Sequence, residues 1–279
     1  MNLDTSKLVD FSGVDAAGIE YELGVPIPGP ILPQEQWVQT AIKRLPDSGP
    51  IEWSEVFGRS APLVLDIGCG NGRFVISSAI RRPEVDHIGI DLLPVVIRYG
   101  TRRGNQRGLS NTRFVVCDGS NFLEKYVVAE SMSEIHIYHP QPFHESEYHH
   151  QRLMTPVFLR MIHRSLKAGG QLFLQTDSRV YWDYIRTIVT PFFVWQDQMT
   201  SWPEDPHGRS RREFIAKDRK LQLFRAIATK RDELNEVALE KIVAELPIPD
   251  FVSQAPSKPS KRNNSRRNNS RRAKPNRRR

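Results

Sequence analysis

LVLDIGCGNG, residues 63–72, decides the fold. Five residues, four of them aliphatic, make an apolar run of the length of a buried strand, and glycines at 68, 70 and 72 follow it. Glycine lets a chain turn sharply out of a strand and bring its backbone against a ligand. The next segment, from Arg73 to about Ile80, predicts a helix. Strand, glycine turn and helix in that order form the first unit of an open α/β sheet, which binds ligands beyond the carboxyl ends of its strands.

The same alternation continues outward. HIGID (87–91), TRFVVCD (112–118), EIHIY (134–138) and QLFLQTD (171–177) predict strands, with later ones near 192–197 and 221–228. Helices are expected at about 93–103, 150–166 and 180–189, with KAGG (167–170) as a turn. This pattern predicts a doubly wound, mostly parallel, Rossmann-like sheet with right-handed crossovers. QWVQTAIKRLP (36–46) reads as a short helix closed by Pro46, and the Pro/Gly-rich residues before it as an extended arm or a loose leader. Residues 232–246 read as an amphipathic helix that stops before Pro247 and Pro249. The expected organisation is an arm over 1–50, the main domain over 51–230, an additional helix within 231–252, and a disordered basic tail over 253–279.

Composition bounds the function. The hydrophobic fraction of 39% supports a packed core in a chain of 279 residues. No apolar stretch approaches the roughly 18–20 residues needed to cross a bilayer, and the N-terminus lacks a secretory pattern. A cytoplasmic protein without membrane association is expected. Cys69 and Cys117, and the histidines at 139, 144, 149 and 150, show no ligand spacing, so no metal is expected. The formal charge of +8 comes from 40 Lys and Arg against 32 Asp and Glu, yet 11 of the basic residues fall in 253–279, which has no acid. The rest of the chain is slightly acidic. The tail alone carries the excess, and it can neutralise RNA phosphates without ordered structure.

A dinucleotide fingerprint, G-x-G-x-x-G, requires glycine at 73, where this chain has Arg73. Asp66 also puts a carboxylate where a pyrophosphate is unwelcome and a cationic amino-acid moiety is not. Asp91 ends the second strand, where it can accept both hydroxyls of a ribose. Asp118, with Gly119, ends the third and can meet an adenine amino group. Any one of these acids could serve only as a helix cap or turn residue. Three at successive strand ends beside the glycine turn point to S-adenosylmethionine. The expected cofactor site is Asp66, Gly68, Gly70, Gly72, Asp91, Asp118 and Gly119.

Several further motifs, in order, resemble the bacterial tRNA (guanine-N7)-methyltransferases, which are class I S-adenosylmethionine-dependent enzymes. IEWSEVFGRSAPLVLDIGCGNGRF (51–74) is similar to that family's run into its cofactor loop. YHPQPF (138–143), HHQRL (149–153) and PVFL (156–159) resemble its F-P-D-P-W, H-x-x-R-R and P-x-F-L. LKAGG (166–170), Thr176-Asp177 and SRRE (210–213) match its turn, strand end and T-x-x-E element. The resemblance covers roughly 51–230. The departures gather at the acceptor side: Gln141 replaces the motif's acid, Phe143 its tryptophan, and HESEYHH (144–150) its lysine-rich stretch.

The resemblance implies methyl transfer to guanine N7 in tRNA. That atom has a lone pair and no proton, so the chemistry needs positioning more than a general base. Asp177, Ser210 and Glu213, with Gln141 as a neutral acceptor, are the expected catalytic set. Arg152 is expected to contact phosphate or to pair with Glu145 or Glu147, with His149 and His150 on an RNA-facing loop. tRNA is the expected partner, through the body and the tail. The alternatives are a methyltransferase acting on a small molecule or protein, and a non-catalytic RNA-binding relative.

Overall fold

The computed structural model describes residues 13–251. The expected disordered tail at 253–279 lies outside them. The arm comes first: β1 (Tyr21–Glu22) and β2 (Val25–Pro26) form a small hairpin, and β3 (Ala41–Ile42) joins the main sheet. After α1 (Trp53–Phe57) come β4 (Leu63–Ile67), α2 (Arg73–Arg81), β5 (Asp86–Asp91), α3 (Pro94–Gln106) and β6 (Thr112–Val116). The second half is α4 (Gly119–Lys125), β7 (Met132–Tyr138), α5 (Pro156–Ser165), β8 (Leu166–Thr176), α6 (Arg179–Val189), β9 (Phe193–Asp197), α7 (Arg211–Asp218), β10 (Phe224–Lys230) and α8 (Glu236–Glu245).

The sheet runs β3-β6-β5-β4-β7-β8-β10-β9 and is parallel from β3 to β8, while β10 lies antiparallel to both β8 and β9. All five residues of β4 are buried, as a central strand covered on both faces requires. One core face gathers Leu65 and Ile67 with Phe122, Phe158, Ile162 and Tyr181 from α4, α5 and α6. The other packs Val64 and Phe114 against Phe74, Ile76 and Ile97 from α2 and α3. The chain leaves β4 in one direction through β5 and β6, and returns on its other side through β7 and β8. The carboxyl ends of β4 and β7 therefore flank the switch point of the sheet, where a crevice opens.

Three expectations change. Residues 36–46 form no helix: a single 3-10 turn covers Gln34–Gln36, and the chain then extends into β3. The helix expected over 150–166 starts at Pro156, capped by the Thr155 side chain, and a 3-10 turn fills Ser146–Gln151. KAGG lies inside β8 by hydrogen bonding, but the pairing jumps from Met132↔Leu166 to Glu134↔Gln171, so those residues bulge out of the ladder. The arm lies on the body. Its buried Glu20 pairs with Arg102, Arg103 and Arg107, and Glu22 accepts from Asn71 in the glycine turn at 2.5 Å. Among the described residues no helix is long and apolar enough to cross a membrane.

Two buried histidines make the fold acid-sensitive. Burial pushes His87 down to about 3, helped by Arg82, and His136 down to about 4 against the pull of Glu134. His136 lies between the rings of Phe74 and Phe173, at 4.2 and 4.4 Å. Both are neutral in the folded chain at pH values where an unfolded histidine is charged. Their contribution is complete above about pH 6.5 and is lost as pH falls toward the folded values. Between pH 6 and 5, urea denaturation is expected to show a loss of about 2–3 kcal/mol, the slope of roughly two protons. A flat profile over that unit of pH would contradict the neutral pair.

Candidate active site

The turn after β4 is built from positive backbone angles: Gly68, Gly70 and Gly72 have φ of 77°, 55° and 78°. These glycines do different work. A Cβ at Gly68 or Gly70 would meet nothing within 4 Å, so those two present bare backbone to open space. A Cβ at Gly72 would fall 2.7 Å from Phe114 and 3.0 Å from Gly100, so Gly72 is there to let α2 and α3 close on the sheet. Asp91 holds the turn in place. It accepts from the Gly70 N–H at 3.0 Å on one oxygen and the Leu93 N–H at 2.9 Å on the other. Each oxygen keeps lone-pair capacity for a hydroxyl donor. Asp118 caps α4, accepting from the Asn121 N–H at 2.9 Å, and it stands beside Gly119 on the same wall.

These groups border a cavity of about 1060 Å³. One wall carries Gly68, Asp91, Asp118 and Gly119; the other carries His139, Gln141, Phe143, Asp177, Arg179 and Arg212. The volume exceeds what one small ligand usually fills and allows a nucleoside-sized cofactor beside a base. The bare backbone at Gly68 and Gly70, with a carboxylate at each of the next two strand ends, fits the amino-acid, ribose and adenine parts of S-adenosylmethionine. Asp66 does not line the cavity. It is buried beneath the turn, where burial and then Asp91, opposed by Arg209, raise its carboxyl to about 8. It lies beneath the turn and not on the cavity wall where the sequence reading put a carboxylate.

The wall opposite the glycine turn is organised around Asp177. Its carboxylate accepts from Arg212 at 2.6 Å and from His139 Nδ1 at 3.0 Å. Burial opposes ionisation there, but these two partners hold Asp177 well below the usual carboxylate range. Gln141 is exposed on the same wall. The loop carrying it is strained, with positive φ at two non-glycine residues, His139 (54°) and Phe143 (37°).

The other expected residues lie behind the wall. Ser210 caps α7 by accepting from the Glu213 N–H at 3.1 Å. Glu213 is fully buried, paired with Lys217 at 3.0 Å and Arg225 at 3.1 Å. Although burial raises it, bonds from Gln175 and Lys217 bring its carboxyl to about 2. Neither touches the cavity. Arg152 contacts neither a phosphate-accessible surface nor Glu145 or Glu147. It is 2% exposed and donates to the carbonyls of Pro142, Phe143, Pro249 and Phe251, clamping the Gln141 loop to the end of the described chain. His149 is buried against Asp250 at 3.3 Å, while His150 is exposed. Three functional neighbours were not singled out in the sequence: His139 in this role, Arg212 and Gln175. Their signal was position, since His139 and Gln175 adjoin strand ends and Arg212 sits within SRRE.

A family model described as "Putative methyltransferase" matches residues 60–222. A tRNA (guanine-N(7)-)-methyltransferase of Pseudomonas syringae pv. syringae is 30% identical over 174 residues, which cover 62% of this chain and 71% of that one. The chain belongs to the tRNA (guanine-N7)-methyltransferase family. Another protein of that name, from Saccharophagus degradans, is 33% identical over 142 residues, 51% of this chain. The match spans only 62% of that relative's length. A similarly named protein of Shewanella woodyi is 29% identical, with 67% of this chain and 79% of that one covered. Among solved structures, the 16S rRNA methyltransferase KamB superposes with a TM-score of 0.52 at 13% identity over 69% of this chain and 98% of that one, a likeness of fold. The family's glycine loop is thus present, whereas Gln141 and Phe143 depart from its F-P-D-P-W motif.

The glycine roles can be separated by substitution. Gly72→Ala is expected to destabilise the fold by about 2–4 kcal/mol, combining left-handed backbone with an overpacked contact. Gly70→Ala should cost about 1–2 kcal/mol for its backbone alone. The ranking is checked by chemical denaturation. Equal losses, or a larger one at Gly70, would contradict the assignment.

Proposed function

We propose that this protein transfers a methyl group from S-adenosylmethionine to N7 of a guanine in tRNA. The observation that carries the reading is the single cavity joining the Gly68–Asp91–Asp118 wall to the Asp177 wall in a chain of this family. When bound, the cofactor supplies an electrophilic methyl group. Gly68 and Gly70 offer backbone to its amino-acid part, Asp91 accepts from the ribose hydroxyls, and Asp118 accepts from the adenine amino group. Guanine N7 attacks with its own lone pair, so no residue has to remove a proton first. The chain's task is to hold the base in line and to meet the positive charge that grows on its ring.

Asp177 suits both tasks. As a carboxylate it accepts from the guanine N1–H and amino group, and it strengthens that hold as the ring becomes cationic. Gln141 supplies a further acceptor without charge, and Phe143 a flat apolar neighbour for a base. Ser210 and Glu213 contribute from behind, by fixing α7 and Gln175.

The RNA partner is too large for this cavity alone. The segment 253–279, whose first basic residue is Lys258, follows in sequence on Phe251, whose carbonyl accepts from Arg152. We assign that segment the capture of tRNA phosphates, in a cytoplasmic enzyme.

Mass spectrometry of tRNA nucleosides tests the reading. Purified protein with S-adenosylmethionine should form 7-methylguanosine in tRNA from a strain lacking this gene. Asp177→Asn should lower the rate by about 100-fold or more, the scale of losing one charged stabiliser of the transition state. Methylation only of a protein or small molecule would replace the proposed acceptor, and no methyl transfer at all would remove the enzymatic reading. Gln141→Asp should raise turnover by about threefold to tenfold if charge at 141 adds to the same stabilisation. No gain would show that 141 does not face the reacting base. Deleting 253–279 should weaken tRNA binding and flatten its salt dependence, by roughly 0.7–0.9 in the log–log slope for each phosphate that the tail neutralises. Unchanged binding across a salt titration would take the tail out of RNA capture.

A further inference from the structure

We propose that His139 is a positioning residue for the methyl acceptor: fixed as the neutral tautomer protonated on Nδ1, it aims the Asp177 carboxylate into the acceptor end of the cavity. The proposal rests on the acceptor reading above. It deepens that reading by saying what orients its central carboxylate.

Gln175, buried at the end of β8, sets the direction of the hydrogen bonds. Its side-chain oxygen accepts from Trp202 Nε1 and from Arg225 Nε, each at 2.7 Å. Two N–H donors on one atom identify it as the oxygen, since a flipped amide would set its NH₂ against both. The NH₂ group therefore faces the other way. There it meets His139 Nε2 at 2.9 Å and the Glu213 carboxylate. An amide nitrogen only donates, so His139 Nε2 must accept and carries no proton. The ring proton of the neutral imidazole then belongs on Nδ1, 3.0 Å from Asp177 Oδ1.

Asp177 is thus held by one neutral donor and one cationic donor, with Arg212 at 2.6 Å on its other oxygen. The Arg212 side chain is 39% exposed and that of His139 only 5%. The His139 ring is tied at both nitrogens, and its backbone N–H donates to the Gln175 carbonyl oxygen at 2.7 Å. Its backbone also occupies the left-handed region, unusual for a residue with a side chain and a cost that the surrounding bonds sustain. Rigid support behind a carboxylate is what holds its remaining lone pairs in one direction while a substrate exchanges in front of it. Glu213 and Arg225 thereby reach the cavity through Gln175 and His139, which gives the buried SRRE glutamate a connection to the site without contact.

The test combines a spectrum with kinetics. In ¹⁵N-histidine NMR of the full chain near neutral pH, His139 should appear neutral with its proton on Nδ1. His139→Leu removes both ring contacts and should lower kcat on tRNA by about 10- to 100-fold, the loss of one bond to a charged group, with little change in KM. S-adenosylhomocysteine affinity should stay near that of the wild type. His139→Asn offers an amide N–H in place of Nδ1 and accepts the left-handed backbone, so it should recover kcat to within about threefold of wild type. A proton on Nε2 or on both nitrogens overturns the proposal. So does an undiminished kcat in His139→Leu, or equal impairment in His139→Asn. If His139→Leu does not fold, the spectrum and His139→Asn still decide. A wild type that leaves tRNA unmethylated overturns the acceptor reading instead, and the spectrum alone then decides whether His139 holds Asp177 through Nδ1–H.

Discussion

Asp91 makes the two hydrogen bonds on which the rest of the site depends. By accepting from Gly70 on one side and Leu93 on the other, it joins the turn after β4 to the turn after β5. A parallel sheet leaves these turns side by side at its carboxyl edge. The Ile90 carbonyl, accepting from the Gly68 and Cys69 N–H groups at 2.9 Å each, ties the first turn to β5, and the Asp91 carboxylate adds the link to the second. Gly68 lines the cavity and Gly70 donates to Asp91, while Gly72 lets α2 and α3 close over Phe114 behind them. Asn71, in the same turn, is tied in addition to Glu22, so the arm also bears on the loop.

The cavity has two ends of different construction. The cofactor end is made by backbone and by carboxylates that also serve local structure, as the cap at Asp118 shows. The acceptor end is made by side chains that support one another through long-range contacts: Asp177 from β8's end, Arg212 from α7, His139 from β7's end, and Arg152 tying the intervening loop to residues 249–251. Under the proposed function, substitution at the first end should disturb folding and cofactor binding together, and substitution at the second should alter how the acceptor is held.

This difference explains what was legible in the sequence. The strands could be read because each is a short apolar run feeding a turn, and the glycines and acids of the cofactor end fall at those turns. Residues 36–46 misled because Trp37, Val38, Ala41, Ile42 and Leu45 have helical spacing, whereas Ala41 and Ile42 pair with Phe114 and Val115 at the sheet edge. Tertiary pairing overrode a local pattern. The start of α5 was readable in Thr155-Pro156, a cap followed by a proline that suits a first turn. Ser210 and Glu213 have the spacing of a helix-start box, and the structure gives them that role. The His139–Gln175–Glu213 connection could not be read, because it joins residues 36 and 38 positions apart through atoms whose placement depends on the assembled sheet.

A crystal structure of the protein with S-adenosylhomocysteine and guanosine would test the two-ended cavity most directly. The ribose hydroxyls should lie on Asp91, the adenine amino group on Asp118, and the N1–H edge of guanine on Asp177, with N7 turned toward the sulfur. A cofactor seated away from Gly68 and Asp91, or a guanine that makes no contact with Asp177, would contradict the account.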